Sequence, residues 1–170
     1  MLSPYSCKEY KIQTVSLASR FKPEVVVDLG CGLGDIVARV DAKRRYGLDI
    51  DDRLLKAAHF LFSSKVTFRK ASIFDPDSIR DAVSEAQIDL LIMTGWAHGC
   101  PFEKFLGAMK NLTKVQRVNK ILLDTWRLQE EEMVYCYTGA ELKRLGKVLF
   151  SIDGGDSSRD LHVIELDIAG

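Results

Sequence analysis

Residues 25–35 read Val-Val-Val-Asp-Leu-Gly-Cys-Gly-Leu-Gly-Asp, and this stretch restricts the fold more than any other. Three consecutive β-branched residues favour a buried strand. The strand runs into Asp28 and then meets glycines at 30, 32 and 34. A strand that passes at once into a glycine turn and then a helix brings bare backbone up to a ligand. Gly30 and Gly32 can take positive φ and present no Cβ. A helix starting there points its free N–H groups at whatever occupies the turn.

The spacing narrows the ligand. A dinucleotide turn has the form G-x-G-x-x-G. Here the third glycine comes one residue early and Asp35 takes its place, giving D-x-G-x-G-x-G. A pyrophosphate would be repelled by Asp28 and Asp35. A tight strand-to-helix turn without a ligand is the plainer alternative. The pattern resembles the first motif of the Rossmann-like (class I) S-adenosylmethionine-dependent methyltransferases. An acid suits that cofactor, whose methionine end carries an ammonium group and a cationic sulfur. The resemblance implies that Asp28, Gly30, Cys31, Gly32 and Gly34 contact it, with the small side chain of Cys31 fitting inside the loop.

A second motif stands in register with the first. Residues 45–50 read as a short strand ending in an acid, Asp49, twenty-one positions after Asp28. In nucleoside-binding α/β folds an acid there accepts hydrogen bonds from ribose hydroxyls. Gly47, Leu48, Asp49 and Ile50 match the family's second motif, which implies that Ile50 lies on the adenine face. Asp51 and Asp52 are better suited to capping the next helix. After strand three the family often has an acid beside the adenine amino group. This chain departs from that pattern: Ser72 stands there, with Ile73 beside it and Asp75 three positions on.

A chain of 170 residues, 46% hydrophobic and 28% charged, is expected to form one globular domain, residues 1–170, with 1–22 as a helical lead-in. The net charge is zero and the only basic triplet is Lys43-Arg44-Arg45, expected to close a helix. That argues against nonspecific nucleic-acid binding, which needs a positive stripe. Cysteines at 7, 31, 100 and 136 form no CxxC pair and have no histidine at metal-ligand spacing. They read as free thiols in a reducing cytoplasm, with no metal site. No apolar run of 18 residues indicates a membrane span, and no signal-peptide core is apparent.

Helix and strand signals alternate along the chain. Helices are expected over 8–21, about 35–42, 53–63, 76–86 and 139–145. Another carries Phe102, Phe105, Leu106, Met109 and Leu112 as its core stripe. Further strands are expected over 65–71, 88–93, 120–125, 148–152 and 161–166. The last two are separated only by turn residues, so they must run antiparallel. Five βα units followed by an antiparallel hairpin is the layout of the methyltransferase family. The resemblance, over about residues 20–168, implies an α/β fold with a seven-stranded sheet ordered 3-2-1-4-5-7-6, strand seven reversed and helices on both faces.

Chemistry is expected at the carboxyl ends of the strands, where the order reverses. Strand four runs from Asp89 into Thr94-Gly95-Trp96-Ala97-His98-Gly99, matching the family's fourth motif in position. The resemblance puts Thr94 near the methionine half of the cofactor. It implies an acceptor pocket from Gly95, Trp96, His98, Asp124, Trp126 and Arg127. An in-line displacement is implied, in which an acceptor O, N, S or C takes the methyl and S-adenosylhomocysteine leaves. His98 is the one histidine placed to act as a base. The acceptor is expected to be small or medium in size, a small molecule first of all. A cofactor-binding subunit without chemistry of its own, needing a partner to complete the pocket, and a different nucleotide-binding protein such as an NAD-dependent reductase, are the competing readings.

Overall fold

The computed structural model describes residues 8–127, 135–155 and 158–168. Cys7, Asp156 and Ser157 lie outside the described residues. Strand β1 (Val25–Leu29) is buried at all five positions, as its Val-Val-Val run demands of a strand covered on both faces. β2 (Arg44–Asp49), β3 (Thr67–Lys70), β4 (Gln87–Met93) and β5 (Arg117–Trp126) lie parallel to it. β7 (Arg159–Leu166) inserts between β5 and β6 (Gly146–Asp153) and runs antiparallel to both. The sheet order is β3-β2-β1-β4-β5-β7-β6, so the chain has the Rossmann-like methyltransferase fold expected from its sequence.

Strand alternation divides the core between the two faces of the sheet. Val25, Val27, Leu29 and Ile164 join one apolar cluster, and Val26, Leu161 and Val163 join the other. Helix α4 (Phe102–Val115) supplies Phe102, Phe105, Leu106, Met109 and Leu112 to the first, all buried as its stripe requires. Helices α1 (Glu9–Arg20) and α2 (Asp52–Phe62) supply Leu17, Ala18, Leu55 and Ala58 to the second. Asp51 caps α2, its carboxylate accepting from the Arg53 amide at 2.8 Å.

Asp89 braces the amino ends of the central strands. One oxygen accepts from the Glu24 and Val25 amides at 3.0 and 3.1 Å. The other accepts from the Gln87 and Asn119 side chains. This acid therefore holds β1 to β4 at the end remote from any ligand.

Three local expectations are corrected. No α-helix forms over 35–42. A single 3-10 turn, Val37–Arg39, stands there, and Val40 is already extended. Few residues separate the glycine turn from β2, and with Val40 already extended the chain has no room for a second helical turn. The Lys43-Arg44-Arg45 triplet consequently closes no helix. Lys43 pairs with Glu24, Arg44 pairs with Glu85, and Arg44 and Arg45 open β2. Helix α3 (Pro76–Ala82) starts at its proline as expected but stops before Val83, which is extended and buried. The last helix, α5 (Gly139–Lys143), opens on a capping box between Thr138 and Glu141.

Candidate active site

Two hollows open at the carboxyl ends of β1, β2 and β4 and meet at Gly30. The first, of about 250 Å³, is lined by Asp28, Gly30, Cys31, Gly32, Leu33, Asp35, Ile36, Thr94 and Gly95, with Lys8, Tyr10 and Lys11 from α1 and its approach. The second, of about 290 Å³, is mostly apolar. Its walls are Leu29, Gly30, Asp49, Ile50, Ala71, Ser72, Ile73, Phe74 and Trp96.

The first hollow carries two acids, Asp28 and Asp35, and two lysines, Lys8 and Lys11, and its polar groups are incompletely satisfied. Asp28 is 2% exposed. Its Oδ2, like Thr94 Oγ1, is buried with no hydrogen-bond partner among the described residues. Burial, then the charges of Asp35 and Asp49, push the Asp28 carboxyl up from 3.8 to about 7, while the Val37 amide partly opposes them. Burial, with Asp28 and Asp49 nearby, also raises the Cys31 thiol, so it stays protonated. Lys11 Nζ lies 2.7 Å from Asp35 Oδ2, both largely buried. Buried polar groups rarely go unpaired, and both residues line this hollow, so a polar, cationic ligand there is what would satisfy them.

The carboxylate of Asp49 links the two hollows. Its Oδ2 accepts from the Gly32 amide at 2.8 Å and its Oδ1 from the Asp51 amide at 2.9 Å. It thereby pins the glycine turn to the end of β2 and keeps lone pairs for a ligand. Ile50 is 67% exposed at the rim, free to cover a flat ring. Ser72 Oγ accepts from the Phe74 amide at 3.2 Å, and Ile73 is buried behind it. Asp75 is exposed and lines neither hollow, so it does not replace the missing acid.

Several predicted site residues take other places. Gly34 lines neither hollow. A Cβ there would meet the Phe68 ring at 2.6 Å, and one at Gly47 would meet it at 2.4 Å. These two glycines form the notch that seats Phe68. Trp96 was expected on the acceptor side. Gly95 adopts φ +84° and turns the chain back, so the indole lies against Gly30 and walls the second hollow. Its Nε1 donates to the Leu29 carbonyl, and the ring meets Phe105 edge-on. Arg127 is exposed and engaged with Asp153 and Asp160 in the β6–β7 hairpin. It lines neither hollow.

Asp124 is fully buried near the end of β5. Its Oδ1 accepts from the Gly95 amide at 2.9 Å, and its Oδ2 lies 2.7 Å from Arg159 Nη1. His98 sits in the 3-10 turn Ala97–Gly99 and meets Trp126 edge-on at 5.3 Å. Its Nδ1 and Trp126 Nε1 are buried without partners among the described residues. Burial depresses the His98 imidazole below its usual value, against the charge of Asp124. His98 lines neither hollow. Tyr10, Lys11 and Arg159 were missed by sequence reasoning. They reach the site from the first helix and the last strand, and nothing in their local sequence marks them.

Comparison with solved structures supports the fold. Magnesium protoporphyrin IX methyltransferase from Synechocystis PCC 6803, solved with bound S-adenosylhomocysteine, aligns with a TM-score of 0.73 at 11% identity, over 94% of this chain and 84% of that one. The methyltransferase domain of a bacterial Hen1 aligns with a TM-score of 0.71 at 13% identity, over 94% and 98%. The N-methyltransferase NodS from Bradyrhizobium japonicum WM9 gives 0.72 at 11%, over 94% and 96%. No protein-family model matches the chain. No curated protein matches it either. The architecture is that of the class I S-adenosylmethionine-dependent methyltransferases.

Proposed function

We propose that this protein is an S-adenosylmethionine-dependent methyltransferase acting on a small molecule. The observation that carries the reading is the pair of unpartnered buried atoms, Asp28 Oδ2 and Thr94 Oγ1, on two residues that line one hollow. That hollow continues through Gly30 into an apolar one bordered by Asp49 and Ile50. A ligand with an ammonium group at one end, a ribose in the middle and a flat apolar base at the other fits this sequence of walls. When bound, the cofactor supplies a methyl group already activated on a sulfonium.

Each residue then has a stated task. Asp28 and Thr94 hold the cationic end, Asp49 takes the ribose hydroxyls, and Ile50 and Trp96 enclose the base with Ser72 and Ile73 at its edge. No Cβ at Gly32 would touch protein within 4 Å, which leaves the backbone open to the cofactor. On the acceptor side we assign Gly95, His98 and Trp126. The depressed imidazole of His98 is neutral near pH 7 and able to accept a proton from an acceptor that must lose one. The free thiols of Cys31, Cys100 and Cys136 support a reducing, cytoplasmic setting. Among the described residues, no helix is long and apolar enough to cross a membrane.

Titration calorimetry with S-adenosylmethionine, S-adenosylhomocysteine and NAD tests the reading. A one-to-one complex with the first two and none with NAD is expected. Tight NAD binding with no response to S-adenosylhomocysteine would overturn it.

A further inference from the structure

One group of side chains joins the cofactor hollow to the acceptor side. Arg159, the first residue of β7, is 8% exposed. Its guanidinium lies 4.2 Å from the centre of the Tyr10 ring and 4.7 Å from that of Trp126. It is therefore sandwiched between an aromatic from α1 and one from the end of β5. Its charge is answered by Asp124 Oδ2 at 2.7 Å. The other oxygen of Asp124 takes the Gly95 amide at 2.9 Å.

Tyr10 and Gly95 line the first hollow, whereas Trp126 lines neither. Trp126 in turn meets His98 edge-on. Tyr10 and Gly95 are thus walls that a ligand filling the hollow would meet, and both are tied to Arg159, one by stacking and one through Asp124. Guanidinium stacking on aromatic faces is directional, and a buried charge-assisted bond is stiff. A displacement of Tyr10 or Gly95 is passed on instead of being absorbed by solvent.

We propose that Asp124 and Arg159 are a positioning pair that transmits occupancy of the cofactor hollow to Trp126 and His98. The acceptor face is then set only when the methyl donor is in place. Neither residue touches the reacting atoms. The proposal rests on the cofactor reading above, and the experiment separates the two.

The chain has two tryptophans, Trp96 and Trp126. Labelled with 5-fluorotryptophan, it should give two ¹⁹F resonances, assigned by Trp126→Phe. Trp96 walls the second hollow and reports cofactor directly, and Trp126 reports only what is relayed. With saturating S-adenosylhomocysteine, both lines should move in the unsubstituted protein. In Asp124→Asn and Arg159→Gln the Trp96 line should still move and the Trp126 shift should be lost. A Trp126 line that stays still while Trp96 moves in the unsubstituted protein overturns the proposal alone, whether or not the variants fold. So does a Trp126 shift retained in both variants. If neither line moves in the unsubstituted protein, the cofactor reading falls and the positioning role with it.

Discussion

Replacing Asp28 by Asn should stabilise the ligand-free protein at pH 8 while weakening its cofactor site. Asp28 is buried, and its carboxyl is raised from 3.8 to about 7 by desolvation and by Asp35 and Asp49. Between those two values the folded state holds a proton that the unfolded chain has released. The contribution of Asp28 to stability is therefore most favourable below pH 4, falls as pH rises toward 7, and is flat above it. At about 1.4 kcal/mol for each unit of pH between the two values, the full loss is roughly 4 kcal/mol. Asn is neutral throughout and escapes it. Its unpartnered NH₂ group costs stability, but by the same amount at every pH, as a protonated carboxyl would.

The quantity to measure is the difference in melting temperature between Asn and Asp at two pH values. From pH 5 to pH 8 the advantage of Asn should grow by roughly 2–3 kcal/mol. For a chain of this size that is a relative gain of roughly 4–12 °C. S-adenosylhomocysteine should reverse the ranking at pH 8, because it stabilises only the protein that binds it. A difference between the two proteins that is the same at pH 5 and pH 8 would refute the argument, since Asp28 would then be charged at ordinary acidity and not strained by burial.

Asp49→Ala should weaken S-adenosylhomocysteine binding by roughly 1.5–3 kcal/mol, the scale of hydrogen bonds to a charged group. Calorimetry on the folded variant measures it, and unchanged affinity would reduce Asp49 to a brace for the Gly32 and Asp51 amides. Deleting the chain from residue 160 onward removes β7 from between β5 and β6 and should abolish cooperative thermal unfolding. An unchanged transition would show the strand to be dispensable. Once an acceptor is found, His98→Ala should lower turnover by about 10²–10⁴-fold if the imidazole is a base, with S-adenosylhomocysteine affinity intact. A smaller, pH-independent loss would leave it only an orienting role.

The glycine turn and the closing hairpin were legible because both are local, whereas the strand order followed only from the resemblance to the methyltransferase family. Val-Val-Val before glycines, and two strands separated only by turn residues, leave the backbone few alternatives. The α4 stripe was legible for the same reason: helical spacing states which side chains share a face. Other features depend on contacts that sequence distance hides. Gly34 belongs to a notch for Phe68, thirty-four positions away. That Trp96 walls the second hollow was not legible because an offset from a strand end does not say which way a loop turns, and here the positive φ of Gly95 decides it. Arg159 read as a turn residue, yet β7 begins with it, and its ion pair with Asp124 spans two strands that only the sheet brings together.

The raised carboxyl of Asp28 has a further consequence for binding. With its pKa at about 7, it is about half protonated at pH 7 when no ligand is present. An ammonium group arriving beside it favours the charged form and lowers that pKa. Binding should then expel roughly half a proton at pH 7, close to one at pH 6 and almost none at pH 8.5. The heat of binding should accordingly differ between phosphate and Tris buffers at pH 7, because the released proton is taken up with a different enthalpy by each. The difference should vanish in Asp28→Asn. Observed heats at pH 7 that do not depend on the buffer would mean that S-adenosylhomocysteine does not bring its ammonium group to Asp28. The acid of the first motif would then serve the turn and not the ligand.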